Sequence, residues 1–70
     1  MKQTFEQSSN IASAEWENEV LTVTFKSGAA YKYEGVPQGI YDEFCTAISP
    51  GQFFASNIRG KFEGKKVNAQ

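Results

Sequence analysis

The segment formed by residues 56–62 (SNIRGKF) combines side chains that are well suited to hold an anion. Arg59 offers a planar fork of donors that matches a phosphate or a carboxylate, and Lys61 adds a mobile charge two residues later. Asn57 supplies a neutral donor, and Gly60 lets the backbone turn sharply or approach a ligand closely. On an extended strand, Arg59 and Lys61 share one face. The pattern predicts an anion site, with an ion pair between Arg59 and an acidic helix residue as the structural alternative.

Cationic side chains are concentrated at the carboxyl end of the chain. From Arg59 onward, four cations stand against one carboxylate, whereas the 58 residues before it carry three cations and seven carboxylates. The net charge of −1 argues against a long nucleic-acid duplex as ligand, which usually needs a broad basic surface, and favours a small ligand in a local basic pocket. The alternative is that Lys65 and Lys66 only keep the tail soluble.

Two tyrosines, Tyr31 and Tyr33, flank Lys32 in a segment that alternates like a strand. Aromatic rings interleaved with cations form stacking platforms for bases, with the phosphates held by lysine and arginine. Both tyrosines fall on the face that is predicted to be core. We therefore interpret them first as packing residues, with hydroxyls that can reach the rim of the sheet and bond a ligand there.

Groups that could perform catalysis lack an activating base. Histidine is absent and Cys45 is the only cysteine, which removes the common zinc sites, histidine-activated nucleophiles and any internal disulfide. Asp42 and Glu43 are adjacent on a predicted helix and point about 100° apart, which is typical of a solvated face. Ser9, with Ser8 before it, could donate a hydroxyl to a ligand or order the chain entering the first strand. We predict no enzyme activity, no metal and no cofactor.

The elements that position these residues follow from hydrophobic periodicity. Residues 10–16 (NIASAEW), 20–25 (VLTVTF) and 29–34 (AAYKYE) read as strands, the last two forming an antiparallel hairpin. Within residues 17–19 (ENE), Asn18 is the residue best able to adopt a turn. Residues 59–67 could form a last edge strand or a loop.

The period changes to that of a helix over residues 35–49, where apolar side chains recur at spacings of four. These are Val36, Ile40, Phe44 and Ile48. Pro50 ends this helix, and residues 52–58 are long enough for about two further helical turns. The predicted fold class is α+β, a small antiparallel meander of three strands, or four with the edge strand, packed against two helices.

One domain is predicted over residues 9–67, with residues 1–8 as a flexible amino terminus and residues 68–70 as a flexible tail. The sequence shows neither the apolar stretch of a signal peptide nor a run of membrane-spanning length, so we expect a cytoplasmic protein without membrane contact. Seventy residues supply little core, which pairing with a second copy as a homo-oligomer would enlarge.

The order of three motifs, "SSNI", "YKYEGVP" and "SPGQFFASNIRGKF", resembles the KTSC domain, a module found at the carboxyl end of some lysyl-tRNA synthetases. Free-standing copies occur in bacteria and their phages. The resemblance covers Ser8 to about Phe62 and implies a fold without catalytic activity. Attachment to a synthetase implies RNA or nucleotide contact, and a phage setting implies capture of a host component or nucleotide signal. The resemblance marks Ser9, Tyr31, Tyr33, Asn57, Arg59 and Lys61.

The leading hypothesis is a non-enzymatic module that captures a phosphate-bearing ligand, which is a nucleotide, a cyclic oligonucleotide signal or RNA. Arg59 and Lys61 would hold phosphate, Tyr31 or Tyr33 would meet a base, and Ser9 and Asn57 would orient the ligand. The alternative is a protein–protein module that docks its basic edge on an acidic host or phage enzyme.

Overall fold

Five antiparallel strands, hydrogen-bonded in chain order, form the sheet of the computed structural model, which describes residues 1–6 and 8–67. Two helices lie between the fourth and fifth strands, and the second continues into a π-helical turn over Phe54–Ile58. The elements are β1 (Lys2–Thr4), β2 (Ile11–Glu17), β3 (Val20–Phe25), β4 (Ala30–Glu34), α1 (Gln38–Thr46), α2 (Pro50–Phe53) and β5 (Gly64–Val67). The α+β class is confirmed, whereas the predicted count of three or four strands is too low.

Both edge strands are short and polar, which explains why hydrophobic alternation does not find them reliably. β1 lies within the segment that we expected to be a flexible amino terminus. The amino group of Met1 donates to the Trp16 carbonyl at 3.1 Å, and the Trp16 amide donates back to the Met1 carbonyl at 2.8 Å. β5 settles the choice between edge strand and loop in favour of a strand. The predicted flexible tail, residues 68–70, lies outside the described residues.

The turn between β2 and β3 takes two residues in the left-handed region. Asn18 has φ 52° and Glu19 has φ 65°, and Glu17 pairs directly with Val20. Two central residues with positive φ define a type I′ turn, whose twist matches that of the flanking strands. Asn18 is in the turn conformation predicted for it, while Glu19 adopts a backbone that favours glycine.

The helices cover one face of the sheet through an aromatic core. Phe44 of α1 is fully buried and its ring centroid lies 4.9 Å from that of Phe5, which belongs to the segment after β1. Trp16 of β2 stacks on Tyr41 of α1 at 6.2 Å and donates its indole N–H to the Val36 carbonyl at 2.8 Å. The few large rings thus fill the space that a short chain cannot fill with many residues.

Three of the four residues of the predicted apolar stripe pack in the core, although Val36 precedes the helix, which begins at Gln38. Val36 and Phe44 are fully buried, but Ile48 is fully exposed. The helix ends at Thr46, and Ala47 and Ser49 are already extended. For Ser49 the reason is Pro50, since the residue before a proline is pushed away from helical angles. Ile48 therefore leaves the helix face before it can reach the core.

Among the described residues, no helix is both long and apolar enough to cross a membrane.

Replacing Glu19 with glycine should stabilise the protein by about 1 kcal/mol, because glycine adopts the left-handed region without the steric cost of a side chain. Urea unfolding, followed by the fluorescence of the single tryptophan, measures the change. The same substitution at Glu17, inside β2, is the control and should destabilise by about 0.5–1 kcal/mol. Equal effects at the two positions would contradict the type I′ turn.

Replacing Gly64 with alanine should destabilise the protein by about 1–3 kcal/mol, which is the usual cost of overpacking. A Cβ at this position would lie within 3.0 Å of three carbon atoms of the buried Tyr33 ring. Gly39→Ala in α1 is the control, since its Cβ would meet nothing within 4 Å, and should leave stability unchanged or raise it by up to about 1 kcal/mol. Urea unfolding of both variants measures the free energy of unfolding. An unchanged value for Gly64→Ala would contradict the close packing of Gly64 against Tyr33.

Candidate functional site

One cleft collects three of the six predicted ligand residues. It has a volume of about 420 Å³ and is lined by two tyrosines of β4, the last residue of β3, the first residue of the π-helical turn and the arginine after that turn. We call it the aromatic cleft. Its described lining residues, none of them acidic, are Phe25, Tyr31, Tyr33, Phe54 and Arg59.

The walls of the aromatic cleft are held by edge-to-face ring contacts. Phe25 meets Tyr31 with centroids 5.8 Å apart and planes at 76°, and it meets Phe54 at 5.4 Å and 79°. Tyr33 meets Phe54 at 5.5 Å and 77°. This arrangement is the one that aromatic quadrupoles prefer. The rings therefore form one packed unit, and a ligand would meet a surface that is already in place.

The two tyrosines have different roles in this wall. Tyr33 is buried, with its ring packed against Phe54 and against the backbone of Gly64, so no ring face is free for stacking. Tyr31 is only half-buried and keeps part of its ring accessible. Of the two rings proposed to meet a base, only Tyr31 offers surface for it.

Tyr33 carries a neutral hydroxyl beside a cation. Burial, with a smaller contribution from the neighbouring Tyr31, raises the pKa of Tyr33, and Arg59 lowers it only in part. The hydroxyl therefore stays protonated at neutral pH and can donate a hydrogen bond. An anion that reached the Arg59 guanidinium would find the Tyr33 hydroxyl as a further donor in the same cleft.

Arg59 reaches this position because the preceding helix widens at its end. Its amide donates to the Phe54 carbonyl, five residues back, at 2.8 Å. Gly60 then takes φ +86°, and the amides of Lys61 and Phe62 both donate to the Ile58 carbonyl at 3.1 Å. The chain turns here, so Arg59 and Lys61 do not alternate along one strand as the extended interpretation assumed.

The other three predicted ligand residues do not line the aromatic cleft. Asn57 is half-buried within the π-helical turn, and Lys61 is exposed in the turn after Gly60. Ser9 is exposed and lines a second cleft, at the amino end of α2, that shares no described lining residue with the first. The ligand roles of these three residues stay predictions.

Ser8 has the structural role that we weighed for the serine pair. Its hydroxyl oxygen accepts the amide of Asn10 at 3.3 Å and that of Ile11 at 3.1 Å. This local bonding orders the chain where it enters β2.

Sequence analysis did not single out Lys66, which strand register places next to one wall residue of the aromatic cleft although it does not itself line the cleft. Lys66 is the partner of Tyr31 in the β4–β5 ladder. Directly opposite residues of an antiparallel pair point to the same face, with Cβ atoms about 4.5–5.5 Å apart. Lys66 therefore lies beside the half-buried Tyr31. The pairing of "AYKY" with "GKKV" could have suggested this neighbour only if β5 had been recognised as a strand.

The groups weighed for catalysis in the sequence do not line the aromatic cleft. Cys45 is half-buried, and burial raises the pKa of its thiol, which disfavours the reactive thiolate. Asp42 and Glu43 are exposed on α1, as the solvated-face interpretation predicted. Residues 1–6 and 8–67 contain no group of three histidine, cysteine or acidic side chains placed to hold a metal ion.

Comparison with known proteins finds relatives among synthetases. The chain is 36% identical over 56 residues to a lysine–tRNA ligase of Nostoc punctiforme, covering 80% of this chain and 10% of the ligase. It is 38% identical over 50 residues to that of Trichormus variabilis, covering 71% of this chain and 9% of the ligase. The chain thus spans about a tenth of the length of these relatives.

A solved structure matches the whole fold. The crystal structure of a KTSC domain protein from Yersinia pestis superposes with a TM-score of 0.89, at 34% sequence identity and over 97% of both chains. The family model for the KTSC domain matches residues 7–62. That span contains β2 to β4, both helices and every residue of the aromatic cleft. The chain therefore belongs to the KTSC domain family.

Proposed function

We propose that this protein is a non-enzymatic binding module that captures a phosphate-bearing nucleotide ligand in the aromatic cleft. The observation that carries the proposal is the meeting of Arg59 with the Tyr31 and Tyr33 side chains in one cleft whose described lining has no acidic residue. Arginine binds phosphate through paired donors, and an aromatic face binds a base by stacking. The site thus offers a partner for each half of a nucleotide.

The dimensions of the cleft agree with this class of ligand. A volume of about 420 Å³ lies at the lower end of the range typical of small-molecule sites, about 300–1,000 Å³. Within the lining, Arg59 is the single cation, so the cleft itself suits one phosphate group. A nucleotide unit, free or within a longer chain, satisfies both conditions.

The relatives support a nucleotide or RNA over other anions. Their name describes enzymes that act on a tRNA, and the matched region is a small part of them. In such an enzyme the module would contact RNA. A free-standing copy would act by holding its ligand unchanged in the cytoplasm, and a phage-encoded copy could in this way sequester a cyclic oligonucleotide signal of its host.

Arg59→Ala should weaken nucleotide capture strongly while the protein stays folded. We expect a nucleotide present at 100 times its dissociation constant to stabilise the wild type by about 2.7 kcal/mol, a shift of the melting temperature of about 10 °C or more. Loss of a charge-assisted contact should weaken binding at least about tenfold. Thermal melting with mononucleotides and cyclic dinucleotides is the measurement.

Lys2→Ala is the matched control for this experiment, because it removes one cation from β1 at the opposite edge of the sheet. It should bind like the wild type, and Arg59→Lys should fall between the two, since it keeps the charge and loses the fork. If Arg59→Ala bound as tightly as Lys2→Ala, the cleft would not be the phosphate site. If no nucleotide shifted the wild type, a protein partner for the basic edge would become the better hypothesis.

Substitutions of Tyr31 separate stacking from hydrogen bonding. Tyr31→Ala should weaken nucleotide binding by about 1–3 kcal/mol, the usual contribution of one stacked base, and Tyr31→Phe should keep most of the affinity. Titration calorimetry on the same nucleotide measures both. If Tyr31→Phe bound as weakly as Tyr31→Ala, the hydroxyl rather than the ring would be the binding group.

A further inference from the structure

The edge strand β5 presents cations to both faces of the sheet. Lys66 faces the helix-covered side, opposite Tyr31, and Lys65 faces the outer side, opposite Lys32. Successive strand residues point to opposite faces, so the two neighbouring lysines diverge from Cα atoms about 3.8 Å apart. All three lysines are exposed. The basic end of the chain is therefore arranged around an edge rather than on one surface.

The pair formed by Lys32 and Lys65 places two like charges directly opposite each other, which destabilises a sheet. On the outer face, the same row continues from Lys32 across Thr22 and Glu15 to Lys2 at the far edge. Within this row, only the pair at the β5 end, Lys32 and Lys65, consists of two cations. An anion bound between them would relieve their repulsion.

We propose that the ligand is a single-stranded nucleic acid several nucleotides long, which crosses the β5 edge. One nucleotide would occupy the aromatic cleft, with its phosphate near Arg59 and Lys66, and the next phosphates would lie on the outer face near Lys65 and Lys32. This inference rests on the proposed function and extends it to the class of ligand. We call the four cations Arg59, Lys66, Lys65 and Lys32 the edge cations.

Several linked phosphates would engage the cations of both faces, whereas one phosphate on the helix-covered face would not. Lys65 and Lys66 extend away from each other across the thickness of the sheet, so a mononucleotide held by Arg59 and Lys66 leaves the outer pair unoccupied. The half-buried ring of Tyr31 beside Lys66 favours a strand with bases over an acidic peptide, which has no group that needs a stacking surface. Net charge −1 suits a short strand, since the cations are local.

The dependence of affinity on salt counts the phosphates that the protein neutralises. For single strands, the logarithm of the binding constant falls with the logarithm of salt concentration with a slope of about −0.7 per phosphate, so four contacts predict about −2.8. We would measure anisotropy of a labelled eight-nucleotide RNA between 50 and 300 mM KCl, and of a labelled mononucleotide alongside. The mononucleotide should show a clearly shallower slope.

Variants at the edge then test the path of the strand. Lys65→Ala and Lys32→Ala should each reduce the slope for the octamer by about 0.7 and leave mononucleotide binding unchanged. Lys2→Ala is the matched control, because Lys2 lies in the same row on the same face at the opposite edge, and it should change neither. Circular dichroism checks that each variant is folded.

The outcomes separate this inference from the proposed function. An octamer slope equal to that of the mononucleotide, or equal slopes for Lys65→Ala and Lys2→Ala, would overturn the edge path while Arg59-dependent nucleotide binding stood. If no nucleotide bound in an Arg59-dependent manner, both the edge path and the proposed function would be overturned. Binding of poly-glutamate, but not of RNA, in a Lys65-dependent manner would overturn the ligand class and identify an acidic protein segment as the occupant.

Discussion

The packing of Phe54 is the contact on which the rest of the molecule depends. Its ring lies against Phe25 and Tyr33 of the sheet at 5.4 and 5.5 Å and against Phe44 of the first helix at 6.4 Å. It thereby joins the sheet to both helical segments at one point. The same contacts hold Tyr33 in place and anchor the start of the π-helical turn that precedes Arg59. In a chain of 70 residues, one aromatic cluster serves as both core and wall of the candidate site.

Strong periodic signals made much of the fold predictable from the sequence. The strand predicted at residues 20–25 has the observed bounds Val20–Phe25, because its apolar side chains at alternate positions, Leu21, Val23 and Phe25, are separated by threonines. The predictions failed for segments that have no hydrophobic periodicity or where that periodicity misled. β1 is held by backbone pairing with β2, and a three-residue polar strand carries no hydrophobic pattern. Ile48 continues the helical spacing in sequence, but the helix ends at Thr46, two residues before it.

The candidate site was predictable only in part, for a related reason. Residue type, together with the family resemblance, marked Arg59 and the two tyrosines as candidates, since arginine supplies phosphate donors and tyrosine an aromatic surface. Spacing along the chain misplaced Lys61, because Gly60 turns the backbone, and it could not show that Ser9 lies at another cleft. Lys66 could be placed beside Tyr31 only from the register of β4 with β5. That register depends on long-range pairing, which no local sequence pattern indicates.

The aromatic cleft lies at the rim of the core. The buried residues that stabilise the fold are therefore different residues from the exposed cations proposed to bind the ligand. Tyr33 and Phe54 are buried, so their substitution would weaken the fold and the cleft together. Arg59, Lys65, Lys66 and Lys32 are exposed, and the directly opposed pair Lys32 and Lys65 opposes folding rather than favouring it. Like charges brought together on a folded edge lower stability until a counter-charge arrives. A polyanion would supply that charge to the folded state alone, so binding and native stability would rise together, most strongly at low salt.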